Sequence, residues 1–236
     1  IHRGGPLGSM DIVFIKPTAP RQLYGALSDY DLPAIEPPMW EALLAGWLQA
    51  RGYQAAILDP EAEGCTLEES ARRAAAMKPR LVAIVAAGAN PIASTMSMAG
   101  VRTALEQLEI ACPEVPRLVA GVHPTALPER TLREEPATYV CAGEGFMTLP
   151  PLLEALRTGA STQGIAGLWQ VGEDGDVIEP PPATVLENLD AAPDPAWELL
   201  PMGHYRANNW HCFGHIDNRM PYGLLYTTLG CPYRCA

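Results

Sequence analysis

Asp11-Ile-Val-Phe-Ile15 is a short, almost continuously apolar run. A run of that length with no polar face is what a strand buried on both sides of a sheet requires. After it, Trp40, Leu43, Leu44, Trp47 and Leu48 recur at i, i+3, i+4, i+7 and i+8, the stripe of a core-facing helix. Pro37 and Pro38 mark its start and Gly52 its stop. A second strand is expected over 54–59, and Thr66 with Glu69 forms a capping-box pair opening a helix to about Met77. Strands then follow over 81–86, 117–120 and 138–141, with helices over 92–111, 124–135 and 148–158 between and after them. Five apolar strands separated by helices, with no internal repeat, predict an α/β fold. Its sheet is a doubly wound, parallel, five-stranded one of Rossmann or flavodoxin-like type. Residues 168–172 and 177–179, on either side of Glu173-Asp-Gly-Asp176, read as a hairpin outside that sheet.

The chain has 236 residues, with 16 Lys and Arg against 27 Asp and Glu, a net charge of −11. That excess argues against a nucleic-acid or anionic-membrane partner, because no cations are left to neutralise phosphates. The longest near-apolar run, 81–89, is too short to span a bilayer, and no signal peptide is visible. Six scattered cysteines lack a compact secreted framework, so a reduced, cytoplasmic protein is expected. Residues 173–198 hold eight acids, five prolines and no Lys or Arg. This reads as a stiff linker that supplies most of the net charge. The expected layout is an expression scar over 1–9, one domain over 10–165 and a hairpin with acidic linker over 166–201. The start of a further domain then covers 202–236.

Ligands of open parallel sheets bind beyond the carboxyl ends of the strands. The loop after the first strand, 16–37, is far longer than the usual ~2–6 residues, and its Tyr24 and Asp29 are candidates to reach a ligand. After the third strand, Gly88, Ala89, Asn90 and Pro91 lead to Ser94 and Thr95. Small residues there let a ligand approach the backbone, and the hydroxyls can hold polar groups. Gly121, Val122, His123, Pro124 and Thr125 follow the fourth strand, and Gly143, Glu144 and Gly145 the fifth. No dinucleotide fingerprint or phosphate loop is present, which disfavours nicotinamide enzymes and nucleotide hydrolases. No catalytic residue is assigned. Cys65, Cys112 and Cys141 read as small buried hydrophobes, and Trp40 and Trp47 as helix-core residues.

The runs Gly121-Val-His-Pro-Thr-Ala-Leu-Pro128 and Cys141-Ala-Gly-Glu-Gly145 resemble the cobalamin (vitamin B12)-binding domain of cobalamin-dependent radical S-adenosylmethionine (SAM) enzymes. Tyr226-Thr-Thr-Leu-Gly-Cys-Pro-Tyr-Arg-Cys235 is similar to the entry strand and first cysteines of their C-x-x-x-C-x-x-C motif. The resemblance implies that Cys231 and Cys235 are metal ligands of a 4Fe–4S cluster that binds S-adenosylmethionine in the full-length enzyme. Thiolates from one short loop would then hold three irons and leave the fourth open. The third cysteine would fall two residues beyond Ala236, so the radical barrel is expected to be truncated and this chain inactive by itself. The resemblance also implies cobalamin bound base-off. The Asp-x-His-x-x-Gly motif of many cobalamin domains is absent and His123 stands in another loop, so no His lower ligand is expected. The implied function is the cobalamin-binding part of a methyltransferase acting on an unactivated carbon of a small-molecule or natural-product substrate. Two alternatives remain: a cyclase or rearrangement enzyme, and a non-catalytic cobalamin-binding or docking module.

Overall fold

Strand β1, Ile12–Ile15, is buried at every position. Ile12 and Phe14 belong to one core cluster, and Val13 and Ile15 to another on the opposite face. The computed structural model describes residues 10–19, 25–26, 33–88, 91–208, 212 and 215–226. In chain order the elements after β1 begin with α1 (Met39–Gln49), β2 (Ala55–Leu58), α2 (Pro60–Glu63) and α3 (Leu67–Ala76). Next come β3 (Leu81–Ala86), α4 (Pro91–Ala111), β4 (Arg117–Gly121), α5 (Val122–Ala126) and α6 (Pro128–Glu134). The series ends with β5 (Tyr139–Cys141), α7 (Leu149–Thr158), β6 (Leu168–Val171) and β7 (Val177–Ile178).

The sheet order is β2-β1-β3-β4-β5-β6-β7. Strands β1 to β5 are parallel, with Ile12 opposite both Ala55 and Leu81, and Leu118 opposite Tyr139. The doubly wound α/β reading therefore holds for the five strands it named. Its sheet is larger, because the hairpin is not outside it: β6 pairs antiparallel with β5, and β7 with β6, giving one mixed seven-stranded sheet. The physical reason lies in β5, whose unpaired edge would otherwise expose a row of N–H and C=O groups.

Helix α1 lies against the first core cluster and α3 and α4 against the second. Thr66 caps α3 by accepting from the Glu69 N–H at 3.1 Å, as the capping pair predicts. The stripe on α1 is only half the story. Ala42, Ala45 and Gly46 are buried too, because residues 194–207 fold back over that helix. Ala196 N–H donates to Ala42 O at 2.9 Å, and Ala196, Leu200 and Tyr205 join the first core cluster. A Cβ on Gly46 would lie 2.4 Å from Asp194 O, so only glycine admits this approach.

Gly46→Ala should therefore destabilise the protein by about 1–3 kcal/mol, the range for overpacking a filled contact. Urea unfolding of both forms measures it, and an unchanged midpoint would contradict the packing of 194–207 on α1.

Candidate functional site

The sheet reverses its winding between β1 and β3, and both strands end at the same edge. A cavity of about 310 Å³ opens there, at the switch point where ligands of such sheets bind. Its walls come from Lys16 to Ala19 after β1, Glu36 to Glu41 entering α1, Ala87 and Gly88 after β3, and Met96 and Ser97 on α4. Asn208, Leu224 and Tyr226 close it from the C-terminal segment. That segment is held to residues 33–35: Ile35 and Arg206 form a β-bridge, and the Arg219 side chain donates from Nη2 to Pro33 O at 2.9 Å.

Beside the cavity lies an ionic cluster. Lys16 Nζ donates to Glu36 O at 2.7 Å, Glu61 Oε2 at 3.0 Å and Asp59 Oδ2 at 3.3 Å. Asp59 is fully buried and uses its other oxygen to accept the Ala62 N–H, capping α2. Burial works against the Lys16 ammonium, but Asp59 and Glu61 outweigh it and hold its pKa above the usual lysine value. Tyr205 is completely buried next to this group. Its hydroxyl has no hydrogen-bond partner of acceptable geometry among the described residues, and burial beside Asp59 and Glu41 raises its pKa far above the phenol range.

Glu41 is the exception in the cluster. It is 2% exposed and lines the cavity, yet the Lys16 ammonium hydrogen-bonds elsewhere. Burial pushes its carboxyl up to about 8, against the pull of its own main-chain N–H and of Lys16. Near neutrality it is largely the protonated acid, with an O–H donor and a C=O acceptor.

The small-residue loops expected to form the site divide into two groups. Among the described residues expected there, only Gly88 lines the cavity; a Cβ there would lie 2.5 Å from Ala93 Cβ. Ser94 is buried and structurally committed, its hydroxyl donating to Ala86 O and accepting the His123 N–H at 2.9 Å. Thr95 Oγ1 is 3.1 Å from His123 Nδ1, and Thr125 Oγ1 accepts the Gly143 N–H at 2.9 Å. Gly121 has φ +125°, and a Cβ on it would sit 2.3 Å from Ala86 O. These contacts tie the loops after β3, β4 and β5 into one rim. Val122, buried Pro124, half-buried Glu144 and buried Gly145 complete the rim, which Pro91 borders as the first residue of α4. Tyr24, Asp29, Ala89, Asn90, Cys231 and Cys235 lie outside the described residues.

The rim carries exposed apolar side chains: Met96 at 49%, Val122 at 54% and Met147 at 44%. These side chains leave apolar surface in water at this sheet edge. Met96 belongs to both the rim and the cavity wall, so the two are continuous. Trp40, expected in the core, is half-buried and lines the cavity as well. Cys112 and Cys141 are buried thiols, Cys141 pushed up to about 11 by burial, which fits inert packing. Among the described residues, no group of three or more His, Cys, Asp or Glu is placed to hold a metal ion. None of their helices is long and apolar enough to cross a membrane.

Lys16, Glu36, Trp40 and Glu41 were not among the expected site residues. For Glu41 a signal existed: it is the lone charged residue in the apolar run 39–48.

Residues 31–153 match the family model of the B12 binding domain. Among curated proteins, the chain is 32% identical over 200 residues to an uncharacterized methyltransferase of Pyrococcus horikoshii, covering 84% of this chain and 39% of that protein. It is 24% identical over 205 residues to the anaerobic magnesium-protoporphyrin IX monomethyl ester cyclase of Rubrivivax gelatinosus, covering 85% and 34%. Among solved structures, a radical S-adenosylmethionine methyltransferase from Kitasatospora setae, with cobalamin and a 4Fe–4S cluster bound, superposes with a TM-score of 0.58 at 16% identity. That match covers 86% of this chain and 37% of the other. The chain thus spans under two fifths of the length of each.

The raised Glu41 carboxyl has a consequence for stability. Its folded pKa of about 8 exceeds the unfolded value of 4.5, so its contribution is full below about pH 4.5 and is lost as pH rises through 8. Lys16, Asp59, Tyr205 and Tyr226 interact with it electrostatically from the neighbouring segments. They are common to wild type and Glu41→Gln, so comparing the two isolates Glu41. The variant should gain on wild type between pH 5 and 8, on the order of a few kcal/mol. Thermal melts across that range check it; parallel pH curves would contradict it.

Proposed function

The chain belongs to the B12-binding domain family, and on that premise we propose that it is the cobalamin-binding portion of a B12-dependent radical S-adenosylmethionine enzyme, a methyltransferase. The observation that carries the reading is the continuous edge formed by the switch-point cavity and the apolar rim, joined at Met96. A broad corrin with an apolar face and an amide-bearing margin fits this chemistry. Met96, Val122 and Met147 supply apolar contact, and the Thr125 hydroxyl and the His123 ring supply hydrogen bonds. Bound there, cobalamin would supply a cobalt centre able to carry a methyl group. The protein's share is to hold that face dry and fixed: the side chains Val122 and Met147 exclude water, and the Ser94 bridge between Ala86 and His123 keeps the rim rigid.

The layout that goes with this reading places the cobalamin-binding domain over 10–165 and the start of the radical domain over 202–236, with Cys231 and Cys235 as cluster ligands. Tyr226, which lines the cavity, stands five residues before Cys231 in the sequence. The likeness to the Rubrivivax gelatinosus cyclase supports a second reading, in which the same cobalamin platform serves ring closure instead of methylation. Both readings share the binding step, and neither identifies the small-molecule substrate.

The purified chain should retain corrin absorbance after titration with hydroxocobalamin and desalting, and Val122→Asp should weaken binding about tenfold with unchanged circular dichroism. In the Co(II) form, electron paramagnetic resonance should show no axial nitrogen splitting, consistent with base-off, His-off binding. Loss of all corrin on desalting would overturn the reading, and a nitrogen-ligated spectrum would overturn its base-off part.

A further inference from the structure

The mechanism above leaves one buried ionisable group in the cavity wall without a task. Glu41 stands on the first turn of α1, 98% buried and lining the cavity. Among the described residues no other residue hydrogen-bonds its carboxyl; its own main-chain N–H and the Lys16 ammonium offset its burial only in part. Burying a carboxyl without partners costs stability, and the surrounding run Met39-Trp-Glu-Ala-Leu-Leu44 would accept an apolar residue there. A costly group kept in a cavity wall points to a partner that arrives with the ligand.

The chemistry of that partner follows from the walls. Among the described lining residues, Glu36, Glu41 and Glu61 are acidic and Lys16 alone is basic, and its ammonium is already shared among Glu36 O, Asp59 and Glu61. A carboxylate or phosphate would meet these acids, with no free cation among the described lining residues to receive it. An ammonium would stand beside Lys16 and require Glu41 to ionise in its buried position, where the charged form is disfavoured. A neutral primary carboxamide meets neither objection. Its C=O accepts the O–H of a carboxylic acid while its N–H donates to the acid's C=O, closing a ring of two hydrogen bonds.

We propose that Glu41 is a positioning and specificity residue that reads a primary carboxamide on the margin of the bound ligand through this paired double hydrogen bond. The inference rests on the corrinoid reading, since the corrin margin of cobalamin bears several primary carboxamides. Trp40 and Met39 flank the group with apolar surface, which keeps water from competing for the pair.

The test uses this chain in three forms, wild type, Glu41→Gln and Glu41→Leu. The probes are hydroxocobalamin and the cobalamin monocarboxylic acids, each with one peripheral carboxamide hydrolysed. Binding is read by the corrin spectrum. Glutamine keeps one donor and one acceptor in place, so Glu41→Gln should bind hydroxocobalamin within about threefold of wild type. Leucine keeps the volume and removes both bonds, so Glu41→Leu should bind about tenfold or more weakly. It should melt at or above wild type, since the unpaired buried carboxyl is gone. Wild type should disfavour one particular monocarboxylic acid at least tenfold. Glu41→Leu should lose that preference, and Glu41→Gln, whose amide N–H can donate to the new carboxylate, should bind that isomer better than wild type does. Equal affinities of wild type and Glu41→Leu for hydroxocobalamin would overturn the inference and leave the corrinoid reading standing. So would equal monocarboxylate preferences in wild type and Glu41→Gln, an outcome that does not depend on the leucine form folding. Failure of wild type to retain any corrin would overturn both.

Discussion

The Lys16 ammonium is the fixed point of the switch-point edge. It leaves the end of β1 and reaches the carbonyl of Glu36, where the long loop returns, and the acids at the end of β2 and on α2. One cation thus ties the returning loop at Glu36 to the ends of β1 and β2, which their own parallel ladder already pairs. Two charges taken out of water gain little net stability from their attraction, but each becomes costly if the other leaves. The cluster therefore specifies geometry more than it adds stability. It fixes where α1 begins, and with it where Trp40 and Glu41 face the cavity.

A second constraint acts from the other direction. Residues 194–207 lie across α1 through the Gly46 contact and the Ala196 hydrogen bond, and they carry Tyr205 into the core. The stretch that looks like a charged spacer in the sequence is charged only on its outer side. Its Ala196 and Leu200 are buried while Asp190 and Glu198 stay in water. Helix α1 is consequently enclosed on two faces, and its N-terminal turn becomes part of a cavity wall rather than an exposed helix start.

How much of this was legible depended on whether the signal was local. The five parallel strands were, because a strand buried on both faces needs an unbroken apolar run, and runs as short as Ile12–Ile15 and Leu81–Ala86, rich in Ile and Val, suit a strand better than a helix. The α3 cap at Thr66 was local as well. The antiparallel hairpin was seen as a hairpin but not as part of the sheet, since nothing within residues 168–179 states which edge they join. The small-residue loops were correctly placed on one edge. Their division into an enclosed cavity and an open rim depends on α4 and the C-terminal segment, which come from distant sequence. Glu41 stood out as the lone charge in an apolar run, but its burial was not legible for a similar reason: one acid on an amphipathic helix ordinarily faces water, and the return of 194–207, with Tyr205, encloses α1.

The hairpin that covers β5 also sets the outer margin of the whole sheet. Strand β7 is two residues long, preceded by Glu173, Asp174 and Asp176 and followed by Glu179 and three prolines at 180–182. Prolines lack the N–H that a new neighbour would need, and the acids repel a second copy presenting the same edge. A strand that completes the pairing of β5 therefore ends in a sequence unable to recruit the next one. The fold grows by two strands and then stops, so that at this edge self-assembly by strand addition is discouraged by the same residues that give the chain much of its negative charge.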